Sequence, residues 1–192
     1  MRVLIVYGTR EGQTRRIAMR IADDLRAKNQ SVDVLDASSV GAVDWPKYQA
    51  AVVASSVHVG RHAREVIAFV KRNRAELERL SAAFISVTLS EAGAEDPARS
   101  DAQRQQAAAD VQKMIGDFVK DSGWTPARTM PVAGALTYSK YNVLVRFVMK
   151  RIARKAGAPT DTSRDYEFTN WDAVDRFAES VASRQSPVGG RR

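Results

Sequence analysis

The chain of 192 residues is long enough for one sizeable hydrophobic core and short for two. Hydrophobic residues make up 44% of the chain and charged residues 27%, which is typical of a globular protein. The absence of cysteine excludes disulfides, thiolate metal sites and cysteine nucleophiles, and with two histidines no metal site is expected. The net charge of +8 favours an anionic partner, either nucleic acid, a lipid surface or an acidic small molecule.

Short runs of β-branched and aliphatic residues predict strands that are buried on both faces of a parallel sheet. These strands are Val3–Tyr7, Val32–Leu35, Ala50–Ala54, Ala83–Val87 and Met130–Gly134. Apolar residues at helical spacing predict the helices between and after the strands. They run from the loop after strand one to about Lys28, over Arg64–Leu77, from about Arg99 to Asp121, and over Trp171–Val181 with Thr169 or Asn170 as the cap.

The alternation of strands and helices predicts an α/β fold with a doubly wound, five-stranded parallel sheet in the order 2-1-3-4-5. In such a sheet the ligand lies at the carboxyl ends of the strands, where the order reverses between strands one and three. Residues 138–164 do not fit the minimal pattern and are expected to form an insertion after strand five. We expect one domain over residues 1–184 and a disordered basic tail over residues 185–192.

The stretch GTREGQT, Gly8–Thr14, joins the first strand to the first helix, where a glycine-rich loop commonly holds an anion. A nucleotide triphosphate loop is excluded because the glycine spacing is one residue short and Gln13 replaces the lysine. The dinucleotide pattern is absent as well. The hydroxyls of Thr9 and Thr14, the glycine Gly12 and the helix amides suit a monophosphate such as that of FMN. The alternative is a tight turn with a helix cap and no ligand.

Two other loops at the switch point are rich in small and hydroxyl residues, SSVHVGRH over Ser55–His62 and SVTLSEAG over Ser86–Gly93. Such loops bring backbone amides close to a flat polar ring. A phosphorylated receiver domain is excluded because strands one and three do not end in a carboxylate, and a low-molecular-weight phosphatase is excluded because cysteine is absent. His58 and His62 show no zinc pattern and no nucleophile to activate, so we expect them to be polar loop residues.

The stretch GTREGQTRRIA resembles the phosphate loop of flavodoxins, and it is most similar to the short, flavodoxin-like protoporphyrinogen oxidases that use a quinone as acceptor. Further similar stretches follow in order: DWPKYQAAVVASSVHVGRH, AFISVTL, GWTPARTMPVAGALTYSKYN, RFVMKRIA and GAPTDTSRDYEFTNWDAVDRFA. The likeness spans nearly the whole chain and is weakest over residues 91–114. A plain flavodoxin would explain the first stretch but not ALTYSKYN or TDTSRDYEFTNW.

The resemblance implies a flavodoxin-like sheet that carries FMN, with the insertion near the flavin. Carried over by position, the residues around the phosphate would be Thr9, Arg10, Glu11, Gly12, Gln13 and Thr14. The residues beside the flavin ring would be Ser56, Val57, His58, Val59, Gly60, Ser86, Val87, Thr88, Leu89 and Ser90, with Gly134, Ala135 and Leu136 nearby. The chain departs from the family in one respect, because the third-strand loop offers His58 and Val59 where relatives often present an aromatic residue.

The segment YSKYNVLVRFVMKRIARKAG, over Tyr138–Gly157, carries six cations and no acid. Its apolar residues recur at helical spacing on one face and its cations on the other. A basic amphipathic helix suits an anionic lipid surface, and an ordinary surface helix packed on the domain has the same pattern. The candidate contacts to the propionates of a porphyrinogen or to the membrane are Lys140, Arg146, Lys150 and Arg154.

We therefore expect FMN-dependent oxidation of protoporphyrinogen IX to protoporphyrin IX in haem biosynthesis, with membrane menaquinone or ubiquinone as acceptor. No side chain is identified as catalytic, since the flavin supplies the redox chemistry. With no leader sequence and no long apolar segment, the expected location is cytoplasmic, peripheral on the cytoplasmic face of the inner or plasma membrane. The alternatives are a flavodoxin-type electron carrier and a non-catalytic flavodoxin-like binding module. Nucleic acid is not expected, because the cations accompany few aromatic residues.

Overall fold

The computed structural model of the protein describes residues 1–80, 82–140 and 161–183. The strands are β1 (Arg2–Gly8), β2 (Ser31–Asp36), β3 (Ala50–His58), β4 (Arg61–His62), β5 (Ala83–Thr88), β6 (Arg128–Ala133), β7 (Ala135–Leu136) and β8 (Tyr166–Glu167). The helices are α1 (Gln13–Ala27), α2 (Arg64–Arg72), α3 (Arg74–Arg79), α4 (Leu89–Glu95), α5 (Asp101–Ser122) and α6 (Trp171–Ala182). Short 3₁₀ helices lie at Trp45–Lys47 and Tyr138–Lys140.

The main sheet confirms the predicted topology. Its parallel strands follow the order β2-β1-β3-β5-β6. This is the predicted order 2-1-3-4-5, because the two-residue β4 pairs antiparallel with β3 and does not join the parallel series. The order reverses between β1 and β3, which are paired from Val3 and Ala50 to Gly8 and Ser55. The carboxyl ends of these two strands therefore form the crevice in which doubly wound folds bind ligands.

Both faces of the sheet are covered by helices. Alternate residues of β1 enter different cores, Val3 and Ile5 on one side and Leu4 and Val6 on the other. The first core includes the buried faces of α1 and α6, and the second includes those of α2 and α3 together with Phe118 of α5. With both faces occupied, the loops at the carboxyl ends of the strands remain as the edge where a ligand can enter.

The third strand is longer than the sequence pattern predicts. β3 continues past Ala54 to His58 and returns through a tight turn into β4, so the predicted loop SSVHVGRH is a β-hairpin. Val59 and Gly60 at its tip have φ angles of 50° and 74°. Two consecutive residues with positive φ are typical of two-residue hairpin turns. The residues predicted to flank the flavin therefore lie on a hairpin that extends from the carboxyl edge of the sheet.

The predicted helix over Arg64–Leu77 is divided into α2 and α3, with Asn73 between them. The Asn73 side chain donates from Nδ2 to the carbonyl of Phe69 at 2.8 Å, and its Oδ1 accepts from Trp45 Nε1 at 3.0 Å. A side chain that bonds to the carbonyl four residues earlier competes with the helical pattern. The helix α4, which begins in the loop predicted after the fourth strand, is likewise an element that the pattern did not contain.

Beyond β6 the chain forms a second, two-stranded sheet. β7 and β8 pair antiparallel, Ala135 with Glu167 and Leu136 with Tyr166, so the predicted insertion leaves and rejoins the fold at this small sheet. Residues 141–160 and 184–192, which contain most of the predicted insertion and tail, lie outside the described residues. Among the helices that the structure describes, none has the length and apolar character needed to cross a membrane.

Candidate functional site

A cleft lies at the carboxyl ends of β1, β3, β5 and β6. Its walls are formed by Thr9, Glu11, Gln13, Thr14, Ser56, Val57, His58, Val87, Thr88, Leu89, Gly134 and Ala135. Every one of these residues belongs to the set that the sequence analysis assigned to the cofactor. The structure thus brings four loops, which are far apart in the sequence, to one place.

The remaining predicted residues lie beside the cleft rather than in its wall. They are Arg10, Gly12, Val59, Gly60, Ser86, Ser90 and Leu136. Lys140 ends the 3₁₀ helix that follows β7, and the predicted cations Arg146, Lys150 and Arg154 lie outside the described residues. No group of His, Asp or Glu side chains in the described part of the chain is placed to hold a metal ion.

Two glycines shape the loop after β1. A Cβ atom on Gly8 would lie 2.4 Å from Val66 Cγ2, so the end of β1 approaches α2 closely only because it has no side chain there. Gly12 has a φ of 102°, in the left-handed region that favours glycine. The Gly12 N–H donates to Thr9 Oγ1 at 3.0 Å and tightens the turn. The backbone path therefore explains why glycine occupies both positions of GTREGQT.

The N-terminus of α1 offers unused hydrogen-bonding groups to the cleft. Among the described residues, α1 has no side-chain cap and no acidic residue in its first turn. The first N–H groups of a helix lack intrahelical partners and carry partial positive charge. Thr14 and Ser56 are 1% and 7% exposed, and their hydroxyl oxygens have no hydrogen-bond partner in the part of the chain described. Since an unpaired buried hydroxyl is costly, these atoms fit an oxygen-rich ligand such as a phosphorylated flavin.

The β3–β4 hairpin is held by a buried polar contact. His62 is 4% exposed, and its Nε2 lies 2.9 Å from Ser86 Oγ in β5. Its ring packs against Phe84 and Phe118, with centroids 5.3 Å and 5.0 Å away. Burial lowers the pKa of His62 to about 4. The expectation that His62 is a polar loop residue is wrong, because it is a neutral, buried residue that joins the hairpin to the sheet.

His58 belongs to the same hairpin but lies in the cleft wall. Its Nε2 is 3.3 Å from Oε2 of Glu11, and the two side chains are 26% and 21% exposed. Burial lowers the pKa of His58 below its usual value, and the Glu11 carboxylate opposes that shift. This contact connects the loop after β1 to the hairpin across the cleft.

The walls of the cleft lie close together. The cavity between them has a volume of about 60 Å³, whereas ligand pockets usually begin at roughly 300 Å³. A whole flavin is therefore larger than the cavity that these walls enclose.

A polar network behind the cleft was missed by sequence reasoning. Gln13 donates from Nε2 to Glu167 Oε1 at 3.0 Å and to Thr169 Oγ1 at 2.8 Å. Arg16 donates from Nη1 to Gln13 Oε1 at 3.1 Å and to Glu167 Oε2 at 2.9 Å. Because both amide N–H groups of Gln13 are used, its side chain has none left for a phosphate. The signal lay in the stretch TDTSRDYEFTNW, whose resemblance covered this region without assigning it to the site.

A doubly wound sheet with an anion-binding loop at its switch point is the arrangement of a flavodoxin-like protein. The family model described as a flavodoxin domain matches residues 4–163. Oxidised flavodoxin 1 from Bacillus cereus matches the fold with a TM-score of 0.50 and 12% identity, over 97% of this chain and 100% of that chain. At that identity the match supports the fold alone.

Two curated proteins are similar over most of the chain. Protoporphyrinogen IX dehydrogenase (quinone) from Escherichia coli (strain K12) is 32% identical over 182 residues, which are 95% of each chain. The protein of the same name from Leishmania major is 29% identical over 184 residues, 94% of this chain and 74% of that protein. The chain belongs to the flavodoxin domain family and, within it, to the protoporphyrinogen IX dehydrogenases (quinone). It is a flavin-dependent oxidoreductase, and the family predicted from the sequence is confirmed.

Proposed function

We propose that the protein oxidises protoporphyrinogen IX to protoporphyrin IX, with FMN as its cofactor and a membrane quinone as the electron acceptor. The observation that carries the proposal is the cleft itself, where the N-terminus of α1 and two buried hydroxyls without a partner among the described residues meet the hairpin after β3. The chain that forms this cleft is 32% identical to a protoporphyrinogen IX dehydrogenase over 95% of its length.

The donor set favours a flavin that ends in a monophosphate. The first amides of α1 and the Thr14 hydroxyl would bind the phosphate oxygens, with the exposed cation of Arg10 near the same loop. The apolar side chains of Val57, Val87 and Leu89 would contact the flavin ring and exclude water from it. When bound, the flavin supplies the electron-transfer chemistry, and these residues bind it and orient it.

The proposed substrate carries propionate groups, which are anionic. The segment that follows the cleft residue of β7 in the sequence is rich in cations. Lys140 follows β7, and Arg146, Lys150 and Arg154 follow it in the same segment. We propose that residues 1–184 act as one domain in which this segment contacts the propionates and an anionic membrane surface. Each two-electron step removes two hydrogens from the macrocycle, and the quinone leaves as the quinol.

Menaquinone and ubiquinone are confined to lipid, so the electrons must be transferred to the quinone at a bilayer. The protein would therefore bind to the membrane surface from the cytoplasmic side rather than enter it. The basic segment is suited to that contact, since each cation near an anionic surface contributes about 1 kcal/mol.

The proposed function is tested by anaerobic spectroscopy of the protein reconstituted with FMN. Addition of protoporphyrinogen IX should bleach the visible flavin absorption, and addition of a quinone should restore it while protoporphyrin IX appears. A flavin band that the porphyrinogen leaves unchanged would indicate an electron carrier instead. Failure to bind any flavin would leave the non-catalytic binding module.

The role of the basic segment is tested separately with lipid vesicles. The triple variant Arg146→Gln, Lys150→Gln and Arg154→Gln should lose most of its binding to anionic vesicles or raise the KM for the porphyrinogen. A matched triple variant removes exposed cations of α2 instead, Arg64→Gln, Lys71→Gln and Arg72→Gln. Equal effects of the two triple variants would contradict a specific role for the segment after β7.

A further inference from the structure

The loop proposed to hold the phosphate contains a carboxylate. Glu11 lies between Thr9 and Gly12, lines the cleft and has a side chain that is only 21% exposed. A phosphate group in the same loop would be close to that carboxylate, and two anions in a partly buried site repel each other strongly. A positive charge that faces Glu11 would therefore favour cofactor binding at this loop, in addition to the cation of Arg10.

His58 is placed to provide that charge. Its Nε2 faces Oε2 of Glu11 at 3.3 Å from the opposite wall of the cleft. The other charged groups that act on His58 are Arg10, from the same loop as Glu11, and Glu65, from α2. Burial lowers the pKa of His58 below its usual value, which favours the neutral imidazole before the cofactor binds.

Resting on the proposed function, we propose that His58 is a positioning residue that takes up a proton when FMN binds and pairs with Glu11, so that this acidic loop can accept the phosphate. The proton comes from solvent, and no electron transfer or covalent step is involved. His58 acts on the phosphate through Glu11, which its Nε2 faces from the opposite wall of the cleft.

The proposal fixes the sign of a pH dependence. The negative phosphate favours the imidazolium, so the pKa of His58 is higher in the complex than in the free protein. Affinity for FMN is then greatest at low pH and falls as the pH rises through the pKa of His58 in the complex, by about tenfold for each unit of that difference. The phosphate of FMN itself titrates near pH 6, and the comparison of the wild type with His58→Gln, which both keep Glu11, separates that effect from the one of His58.

The experiment measures dissociation constants for FMN and for riboflavin, which lacks the phosphate, by quenching of flavin fluorescence at about pH 6 and about pH 8. We expect FMN to bind the wild-type protein about tenfold more weakly at the higher pH. His58→Gln should weaken binding at the lower pH and remove this added dependence. Glu11→Gln should tighten FMN binding at the higher pH and flatten the profile, and riboflavin, which lacks the phosphate, should show none of this pH dependence.

The matched control is Arg61→Gln. Arg61 is opposite His58 in the strand register of the hairpin, but its side chain is exposed and does not line the cleft. Its FMN profile should follow that of the wild-type protein. A His58→Gln profile equal to that of the wild type, or a riboflavin profile equal to that of FMN, would overturn the inference and leave the proposed function intact. If neither flavin bound at any pH, the proposed function would fail together with the inference.

Discussion

Gln13 is the buried residue through which the loop after β1 contacts the C-terminal part of the chain. It is 7% exposed, and its amide bonds to both Glu167 and Thr169, which are more than 150 positions away along the chain. We predict that Gln13→Leu lowers the free energy of unfolding by about 1 kcal/mol, because it removes these hydrogen bonds and leaves Glu167 partly unpaired. Chemical unfolding of the flavin-free protein measures the change.

The control for this prediction is Gln106→Leu in α5. Gln106 is exposed and bonds only within its own helix to Asp110 among the described contacts, at 3.0 Å. Its substitution should change the free energy of unfolding by less than about 0.5 kcal/mol. Equal losses in the two variants would show that the contact between Gln13 and the C-terminal segment does not stabilise the fold.

His62 gives a second prediction at the residue scale, on the pH dependence of stability. Its pKa is lowered from the usual 6.5 to about 4 by burial, so the folded protein binds a proton less readily than the unfolded chain. The neutral residue then stabilises the fold above pH 6.5 by up to about 3 kcal/mol, and this contribution is lost as the pH falls towards 4. We predict a much shallower loss of stability in His62→Gln, measured by urea unfolding at about pH 7 and about pH 4.

The comparison of the two proteins isolates His62 from other titrating groups. Burial raises the pKa of Glu91 to about 6, which acts in the opposite direction over the same pH range but is present in both proteins. Parallel stability curves for the wild type and His62→Gln would contradict the argument.

The β3–β4 hairpin carries a strained residue at its tip. Val59 is 90% exposed and has a φ of 50°, which is unfavourable for a β-branched side chain and is not offset by packing. We predict that Val59→Asn raises the free energy of unfolding by about 1 kcal/mol, because asparagine tolerates this backbone conformation. Val59→Ala, which keeps a Cβ atom and gains no polar side chain, should give a smaller increase. A loss of stability in Val59→Asn would mean that the valine makes a favourable contact.

Elements set by local pattern were predictable, and those set by distant contacts were not. The strands and their order follow from apolar runs and from the alternation of strands with helices. The break at Asn73 depends on Trp45, 28 positions earlier, and the placement of Gln13 depends on Glu167, 154 positions later. The spacing of apolar residues along the sequence gives no information about either contact. The position of the cleft follows from the switch point of the predicted sheet, and its individual wall residues were predicted from the resemblance of the loops to those of a known family. For the polar network behind the cleft, the resemblance of TDTSRDYEFTNW covered the region but indicated none of its contacts.

On the scale of the whole molecule, the cleft connects parts of the fold that are otherwise held by separate cores. Its walls come from the ends of β1, β3, β5 and β6, and β1 contributes residues to both cores. The first core is fastened at its surface by ion pairs between α1 and α6, Arg20 with Asp175 at 2.7 Å and Lys28 with Glu179 at 3.1 Å. A ligand in the cleft should therefore stabilise the fold as a whole rather than one loop.

Thr14→Val tests that coupling, because it should stabilise the flavin-free protein and reduce the stabilisation that FMN provides. The Thr14 hydroxyl is buried without a described partner, so Thr14→Val should stabilise the flavin-free protein by about 1 kcal/mol. FMN at about 100 times the dissociation constant of the wild type should stabilise the wild type by about 2.7 kcal/mol. The same FMN concentration should stabilise Thr14→Val less, because a phosphate contact is lost. Thermal unfolding with and without FMN measures both effects, and the exposed Thr125→Val is the control that should change neither. A variant that gained stability and kept the full response to FMN would place the phosphate away from Thr14, and one that lost stability would show that the hydroxyl is already satisfied.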